Sequence, residues 1–404
     1  MIKDQPNTPP SKFKILHCLR AVDGGLFRHV RDVAELQAAR GHQVGVICDA
    51  GPYSDLEESR LQALKPHLSL GLHRFQIPRG VGRKDISVIA KTADIIDRTK
   101  PDIIHGHGAK GGLMARIGGA WAAHQQAARL YCPHGGSLWF DAQSLKGKIY
   151  FAVERFQERY TDALICVAHS SIATYRKKIN DTSVPTEVLY NGLHPHELQP
   201  VRQVPQAADF LMIGALRHLK GVDVFLHALA RTKRPNGDLA TAVIVGSGPD
   251  QAEFEELADR LGLSRQVTFR PPMPARDAFM LAQINVVASR SESLPYIVLE
   301  TLGAQMPLIS TNVGGIPEIF GQFASQLIAP GNADEMARAM NERLAMTGQN
   351  ALSQAKLLER IATHFTVAEM GNTLDQIYHR AWLHRQARFH KNTIESTVDS
   401  PVRP

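Results

Sequence analysis

The stretch from Ser289 to Gly321, SRSESLPYIVLETLGAQMPLISTNVGGIPEIFG, decides the fold of this chain. It predicts a loop that bears Glu292 and then a helix that carries Glu300, with a proline near the first helical turn, where a missing N–H costs nothing. The apolar run PLIST is typical of a buried strand, and it ends before the glycine pair Gly314-Gly315. Two carboxylates and a glycine pair therefore lie at the strand edge where open α/β sheets bind ligands.

The residue types at this edge suit phosphate groups and hydroxyl groups. Helix amino termini favour phosphate, and carboxylates fixed nearby accept hydrogen bonds from sugar or ribose hydroxyls. The alternative is an ordinary amphipathic helix, in which one glutamate is solvated and the other is a cap.

Short apolar runs alternate with helical patterns from Lys14 onward, which predicts parallel strands joined by crossover helices. The proline-bearing stretch from Pro195 to Pro205 breaks this rhythm and predicts an interdomain linker. The 404 residues therefore indicate two consecutive Rossmann-like α/β domains. The strand candidates are KILHCLR, HQVGVICDA, DIIHGHG, RLYCPHG, ALICVA and TEVLYNG before the linker, and DFLMIGAL, TAVIVGSG, QVTFR, NVVAS, PLIST and SQLIAPG after it.

Composition excludes several classes of protein. Hydrophobic content of 44% and charged content of 21% are ordinary for a soluble protein, and no window approaches the ~20 apolar residues of a membrane span. The first residues, MIKDQPNTPPSKFK, lack the apolar region of a secretory signal, which indicates a cytoplasmic protein. Four cysteines lie far apart in apolar runs and predict buried thiols of a reducing compartment: Cys18, Cys48, Cys132 and Cys166.

The basic charge balance indicates attraction to polyanions. A net charge of +7 and a pI near 9.2 favour nucleotide diphosphates or anionic lipid headgroups as partners, and no known nucleic-acid module is recognisable. A protein docked peripherally on an anionic membrane, next to a lipid-linked acceptor, fits this charge. A generic solvated basic surface is the alternative.

Glu292 and Glu300, with seven residues between them and flanked by SESLP, LETLGA and GGIPE, resemble the donor site of glycosyltransferase family 4. The resemblance implies the GT-B fold, in which two Rossmann-like domains face each other across a cleft. It implies an acceptor-side domain over 13–197, a nucleotide-sugar-binding domain over 205–365, and a C-terminal helix, 367–388, that crosses back to the first domain. Residues 1–12 and 391–404 are predicted to be disordered because they carry no core pattern.

Glycines and histidines follow the strands of the first half. Gly24 and Gly25 open a helix after the first strand, where adjacent glycines let backbone approach a ligand closely. The resemblance places this loop near the donor diphosphate and places His134 on the donor-sugar side. His105 and His107 could suggest a metal site with His134, but carboxylate or thiol partners are missing at close spacing, so a structural role is the alternative.

The segment from Ile213 to Gly221, IGALRHLKG, is similar to the family's phosphate-binding stretch. The resemblance implies that Lys220 binds the diphosphate. The family's arginine after the glycine is replaced by Ala215, and Arg217 stands two positions later, where a strand would return its side chain to the same face. The loop with Gly248 resembles the family's nucleotide-side glycine loop and equally fits a tight turn. The chain contains no Asp-x-Asp, so a metal-bridged diphosphate is not expected and no cofactor is predicted.

These features favour a hexosyltransferase that retains anomeric configuration and moves a sugar from a nucleoside-diphosphate sugar to a hydroxyl of a glycan or lipid-linked acceptor. The resemblance implies cell-envelope polysaccharide biosynthesis. Glu292 is expected to hold donor-sugar hydroxyls, Glu300 the ribose, and the amides near Gly314 and Gly315 the phosphates. A sugar-nucleotide epimerase or phosphorylase is one alternative. A non-catalytic nucleotide-sugar-binding partner, motivated by Ala215, is the other.

Overall fold

The computed structural model describes residues 8–346 and 351–398, and the chain divides into two compact units. Unit 1 comprises Met1–Tyr190 and Met370–Pro404, and unit 2 comprises Asn191–Glu369. The division falls at Tyr190, a few residues before the predicted linker, and the chain from Met370 onward belongs with the first 190 residues. Each unit is an α/β structure with its own parallel sheet.

Unit 1 is built on seven parallel strands in the order β3-β2-β1-β4-β5-β6-β7. The strands are β1 (Lys14–Cys18), β2 (Gln43–Asp49), β3 (Gly71–Phe75), β4 (Ile103–His107), β5 (Ala128–Cys132), β6 (Ala163–Cys166) and β7 (Thr186–Val188). The helices are α1 (Gly24–Ala39), α2 (Asp55–Leu64), α3 (Lys84–Thr99), α4 (Gly108–Leu113), α5 (Gly119–Trp121), α6 (Leu145–Glu158) and α7 (His169–Lys178).

Unit 2 is built on five parallel strands in the order β10-β9-β8-β11-β12. The strands are β8 (Ala208–Ile213), β9 (Ala242–Val245), β10 (Val267–Arg270), β11 (Ala282–Val287) and β12 (Leu308–Ser310). The helices are α8 (Val222–Leu229), α9 (Gln251–Arg260), α10 (Ala275–Phe279), α11 (Tyr296–Gly303), α12 (Ile316–Phe320), α13 (Ala333–Ala345) and α14 (Ala351–His364). The last helix of the chain, α15 (Val367–Val398), lies in unit 1 from Met370 onward.

Apolar side chains cover both faces of each sheet. In β2, Val44, Val46 and Cys48 pack with α1 and α2 on one face, while Ile47 packs on the other. The strands of unit 2 alternate in the same way, because successive side chains of a strand point to opposite faces. Burial on both faces explains why the strands read as continuous apolar runs in the sequence.

Strand order defines one switch point in each sheet. In unit 1 the order reverses between β1 and β4, and in unit 2 between β8 and β11. Neighbouring connections at such a point leave the sheet on opposite faces, which opens a crevice at the carboxyl ends of the two strands. The two crevices are therefore the places in each unit where the fold itself favours a ligand.

A buried ion pair ties α6 to the sheet of unit 1. Arg116 has no exposed surface, and its Nη2 donates to Glu154 Oε2 over 2.7 Å. The other oxygen of Glu154 accepts from Tyr131 Oη over 2.8 Å and from Ser137 Oγ over 2.9 Å. The guanidinium also lies 3.8 Å from the centre of the Tyr131 ring. The Glu154 carboxylate therefore neutralises the Arg116 guanidinium and accepts the hydrogen bonds of Tyr131 and Ser137.

Three elements differ from the sequence predictions. Strand β3 was not predicted, because it is a half-buried edge strand whose polar residues hide its pattern. SQLIAPG is not a strand and contributes a single bridge between Thr311 and Ile328, because its first two residues complete the 3-10 helix Gly321–Gln326 and Pro330 lies within it. Residues 391–398 are helical where disorder is predicted, because a helix continues by backbone bonds without a core pattern. Residues 8–12 are described, whereas 1–7 and 399–404 lie outside the described residues.

Candidate active site

Glycines shape the carboxyl edge of the unit 1 sheet. Gly24 has a φ of +59°, and a Cβ on it would meet nothing within 4 Å. Gly25 follows it in the first turn of the 16-residue α1, where backbone N–H groups lack helical partners. A Cβ on Gly136 would lie 4.0 Å from the Cα of Gly108, and one on Gly108 would lie 3.1 Å from Leu26. The loops after β1, β4 and β5 therefore meet around a surface made of backbone, which a ligand can approach closely.

Five histidines converge at this edge. Register pairs His17 of β1 with His105 of β4, and alternation puts His107 on the same sheet face. His29 comes from α1, and His134 follows β5 with a φ of +50°, a conformation that is uncommon outside glycine. Ring centres lie 4.0 Å apart for His105 and His107, and 4.8 Å apart for His29 and His134. The sequence identified three of these residues and missed His17 and His29, which only the fold brings to the same face.

Hydrogen bonds connect the histidines to α1 and α15. His17 Nδ1 lies 2.9 Å from His107 Nε2, and His107 Nδ1 lies 3.1 Å from His134 Nε2. His17 Nε2 lies 2.8 Å from Gln37 Oε1, and His105 Nδ1 lies 2.9 Å from Tyr378 Oη. Gln37 Nε2 donates to Tyr378 Oη over 3.3 Å, so His17, His105, His107 and His134 belong to one continuous polar network inside the apolar core.

Burial keeps the imidazoles neutral. Desolvation lowers the pKa of His17 to about 4, partly opposed by its bond to Gln37. The same cause, followed by the charges of neighbouring histidines, holds the pKa values of His105 and His107 well below the usual value. Desolvation and then the charge of His29 lower the pKa of His134. At neutral pH these rings offer lone pairs and N–H groups, without a positive charge.

In unit 2 the structure brings two predicted site residues into direct contact. Lys220 Nζ lies 2.6 Å from Glu292 Oε1, and Ser289 Oγ donates to the same oxygen over 2.6 Å. Lys220 comes from the loop after β8 and Glu292 from the loop after β11, the two strands that flank the switch point. The side chain of Glu292 is 6% exposed and that of Lys220 is 26% exposed. A fixed carboxylate and a reachable ammonium thus stand together at the ligand-binding edge.

Two glycines with positive φ make this arrangement possible. Gly221 has a φ of +71°, and a Cβ there would lie 2.0 Å from the Ala288 carbonyl oxygen. Gly314 has a φ of +55°, and a Cβ there would lie 1.8 Å from the Glu292 carbonyl oxygen. Any side chain at either position would push the Glu292 loop out of place. Gly314 therefore lets the backbone at Glu292 pack closely against it, which fixes the position of the Glu292 loop.

The neighbouring glycine corrects one sequence expectation. Gly315 donates its N–H to the Ser293 carbonyl over 2.7 Å, so this amide is engaged within the protein and does not face a phosphate. Gly248 is also held by packing, since a Cβ there would lie 2.2 Å from the Leu216 carbonyl oxygen. Both glycines fix the loops around the site.

Arg217 is exposed in the loop after β8. The sequence predicts its position from strand alternation, and the structure does not support that explanation. Strand β8 ends at Ile213, so no strand carries Ala215 and Arg217 on one face. The loop nevertheless buries Leu216 and exposes the residues on either side of it.

Glu300 lies within α11 and is half-buried. Another cation, Arg290, pairs with Asp223 through two bonds of 2.7 and 2.6 Å and braces the same loops.

Two family models match consecutive parts of the chain. Residues 23–197 match Glycosyltransferase Family 4, and residues 198–360 match Glycosyl transferases group 1. The O-antigen chain mannosyltransferase C of Escherichia coli is 31% identical over 205 residues, which are 46% of this chain and 53% of that protein. The phosphatidylinositol N-acetylglucosaminyltransferase GPI3 subunit of Saccharomyces cerevisiae is 21% identical over 372 residues, 88% of this chain and 79% of that protein.

Solved structures share the fold at low sequence identity. Anabaena HepE, crystallised in complex with UDP and glucose, aligns with a TM-score of 0.75 at 17% identity, over 90% of this chain and 99% of that chain. Together with the parallel sheets, this likeness shows the GT-B fold. The chain belongs to glycosyltransferase family 4. The predicted family, fold class and enzyme class are thereby confirmed.

Proposed function

We propose that the protein transfers a hexosyl group from a nucleoside-diphosphate sugar to a hydroxyl of a glycan or lipid-linked acceptor, with retention of anomeric configuration. The observation that carries this proposal is the contact of Lys220 with Glu292 at the switch point of unit 2. A nucleoside-diphosphate sugar offers what this pair recognises, an anionic diphosphate joined to a polyhydroxylated ring. The neighbours crystallised with UDP support UDP as the first nucleotide to test.

Each residue has a stated task in this reaction. Lys220 leaves Glu292 for the diphosphate, with Arg217 as a second cation, and their charges stabilise the leaving group. Glu292 holds donor-sugar hydroxyls; Lys220 and Ser289 both contact its Oε1, and Oε2 accepts from the sugar. Glu300 binds the ribose. His134 positions the sugar from the loop of unit 1, where Gly24 and Gly25 offer backbone N–H groups.

The proposed step is a displacement on one face of the sugar. The acceptor oxygen forms a bond to the anomeric carbon on the face from which the diphosphate departs, and the carbon–diphosphate bond breaks. The acceptor proton passes to the leaving phosphate oxygen, so no protein base is consumed. The protein contributes orientation and charge stabilisation. Because cationic side chains neutralise the diphosphate, the donor site is proposed to need no bound metal ion.

We expect donor binding to be selective and measurable before any acceptor is known. A panel of nucleotide sugars should contain at least one that raises the melting temperature, since a ligand of the folded state stabilises it by mass action. With that donor and an acceptor panel, product NMR should show the anomeric configuration of the donor. Inversion, or conversion of the donor without any acceptor, would contradict the proposed reaction.

A helix of unit 1 with an exposed apolar stripe supports the proposal of an envelope role. Four residues spaced i, i+4, i+7 and i+11 form an exposed apolar stripe on α6: Leu145, Ile149, Ala152 and Phe156. Leu145 is 75% exposed, and Ile149 and Phe156 are each 49% exposed. Exposed basic residues flank the stripe: Lys146, Lys148, Arg155 and Arg159. No helix among the described residues is long and apolar enough to cross a bilayer.

We propose that this stripe docks the enzyme peripherally on an anionic bilayer, at the cytoplasmic face where nucleotide sugars and lipid-linked acceptors meet. An apolar helix face with cations beside it suits shallow insertion among acidic headgroups. The four predicted cysteines are buried free thiols, which fits a reducing compartment. The relatedness to an O-antigen mannosyltransferase supports a role in envelope polysaccharide synthesis.

Replacing Leu145 and Ile149 by serine should weaken binding to vesicles of phosphatidylcholine and phosphatidylglycerol by about 100-fold or more, since each buried aliphatic side chain contributes ~1.5–3 kcal/mol. Sedimentation with vesicles measures the effect. Leu239→Ser is the matched control, because Leu239 is 47% exposed and lies in unit 2. Equal binding of the double variant and the wild type, or equal wild-type binding to neutral vesicles, would refute the docking surface.

A further inference from the structure

We propose that His17, His105 and His107 form a binding site for a divalent transition-metal ion, with Zn²⁺ as the probe of choice. One ligand atom from each of the three residues lies within 4.8 Å of the others, and all three side chains are buried. Three imidazoles are an established donor set for zinc, with a fourth position left for water. The site lies in unit 1 and uses neither Lys220 nor Arg217; among the residues proposed for the donor it contacts His134, the outer partner of His107.

The spacing of the nitrogens suits a tetrahedral ion. Zinc–nitrogen bonds of about 2.0–2.1 Å place neighbouring ligand nitrogens about 3.4 Å apart. His17 Nδ1 and His107 Nε2 are 2.9 Å apart, so they need to separate by only about half an ångström. Strand register fixes His17 beside His105, and the strand alternation fixes His107 on the same face. The ligands are thus held by a sheet and not by loops.

Each ligand has an outer partner on its second nitrogen. His17 Nε2 contacts Gln37 Oε1, His105 Nδ1 contacts Tyr378 Oη, and His107 Nδ1 contacts His134 Nε2. Metal-bound histidines almost always use their second nitrogen in this way, which fixes the ring orientation. The nitrogens that do not contact an outer partner are His17 Nδ1, His107 Nε2 and His105 Nε2. Each of the three histidines therefore has one nitrogen to coordinate the ion.

An unsatisfied atom points to the same ligand. His105 Nε2 is buried and has no hydrogen-bond partner, whereas buried polar atoms are nearly always satisfied. A tautomer with the proton on Nδ1 donates to Tyr378 Oη and leaves a lone pair on Nε2. Coordination would give this lone pair the partner that the protein does not provide.

The protons of the network balance when an ion binds. Gln37 Oε1 only accepts, so His17 Nε2 carries the proton and Nδ1 has a free lone pair. Without the ion, His107 Nε2 donates to that lone pair, and His134 Nε2 donates to His107 Nδ1. With the ion, the His107 proton moves to Nδ1 and donates to His134 Nε2, and the His134 proton moves to Nδ1. Every ring stays neutral, and no proton leaves the protein.

A second group, His29, His107 and His134, also brings its ligand atoms within 4.8 Å of one another. Both groups contain His107, so the binding of an ion by one group excludes its binding by the other. The first group is favoured because all three of its members are buried on neighbouring strands and each has an outer partner on its second nitrogen. His134 is only half-buried, so the cluster reaches the surface there, which gives an ion a route inward.

The test is metal binding by the full chain at neutral pH, with apo-protein prepared by chelation. We expect one equivalent of Zn²⁺ by competition with a chromophoric chelator, and Co²⁺ should give the d–d bands of a four-coordinate site. His105→Ala should weaken binding by about 100-fold or more, and Tyr378→Phe, which removes only the outer hydroxyl, by about 10–100-fold. His29→Gln and the exposed His196→Ala should bind as the wild type does.

Each alternative outcome has a clear meaning. Wild-type protein that binds neither ion overturns the proposal, as does stoichiometric binding that survives His105→Ala in a folded variant. Loss of binding in His29→Gln with retention in Tyr378→Phe would assign the ion to the other group and refute this site. If His105→Ala does not fold, the Tyr378→Phe measurement still decides, because that change preserves the packing of the ring. Transfer activity is not used as the readout, so failure of the proposed reaction leaves this test intact.

Discussion

Replacing Glu292 by alanine is expected to lower kcat for sugar transfer by about 10²–10³-fold, the usual effect of removing one preorganised polar group from an active site. Glu292 is nearly buried, its carboxylate is fixed by Ser289 and Lys220, and its backbone is clamped against Gly314. Water that fills the space of a missing carboxylate has no such fixed orientation. Steady-state kinetics with the donor found by thermal shift measures the loss.

Companion variants separate the catalytic role of this pair from a structural one. Lys220→Ala should give a loss of similar size and a weaker response to free nucleoside diphosphate, because the ammonium is assigned to the phosphates. Arg234→Ala is the matched control: it removes a cation of similar exposure from an ion pair with Asp209, at the amino end of β8. Unchanged kcat in folded Glu292→Ala, or an equal loss in Arg234→Ala, would contradict the assignment.

Glu154→Ala should destabilise unit 1 by about 3–5 kcal/mol, the typical effect of leaving a buried charge without its partner. Arg116 is fully buried, so its guanidinium cannot turn to water, and Tyr131 and Ser137 lose their acceptor in the same substitution. All three tryptophans, Trp121, Trp139 and Trp382, lie in unit 1, so tryptophan fluorescence during urea unfolding reports on the affected unit.

The control for this prediction is an exposed pair in the same unit. Glu187 pairs with Arg380, whose side chain is 54% exposed, and Glu187→Ala should change the free energy of unfolding by less than about 1 kcal/mol. Glu154→Gln should be intermediate, because the amide oxygen still accepts but no longer neutralises Arg116. A change in Glu154→Ala no larger than that in Glu187→Ala would show that the buried pair contributes little.

Much of unit 2 could be predicted because its signals are local. The glycines, the proline and the two carboxylates all occur between Ser289 and Gly321. Glu292 follows the carboxyl end of β11, which explains why it lies in a ligand-binding loop. Its contact with Lys220 was not predicted from residues alone, since 72 positions separate the two. The resemblance supplied both residues, and the switch point between β8 and β11 explains why they meet.

The histidine cluster shows where sequence reasoning stops. His105 and His107 were visible as a pair on one strand, and His134 as a residue at a strand end. His17 reads as a single polar residue inside an apolar strand, and His29 as one helical residue among many. Their convergence depends on the pairing of β1 with β4 and on the packing of α1, which are tertiary facts. The Gly315 amide was misjudged for a similar reason, since its acceptor, Ser293, lies in another loop.

The composition of unit 1 from both ends of the chain has a consequence for its biosynthesis. Leu374, Ile377 and Tyr378 of α15 are buried, so the interior of this unit stays incomplete until the ribosome has passed unit 2 and made α15. Unit 2 is made in one uninterrupted piece, Asn191–Glu369, and can fold while the last helix is still being synthesised. Most of unit 1 therefore leaves the ribosome before unit 2 but completes its folding after unit 2. Until α15 has been made, the apolar surface that α15 will cover is exposed to chaperones.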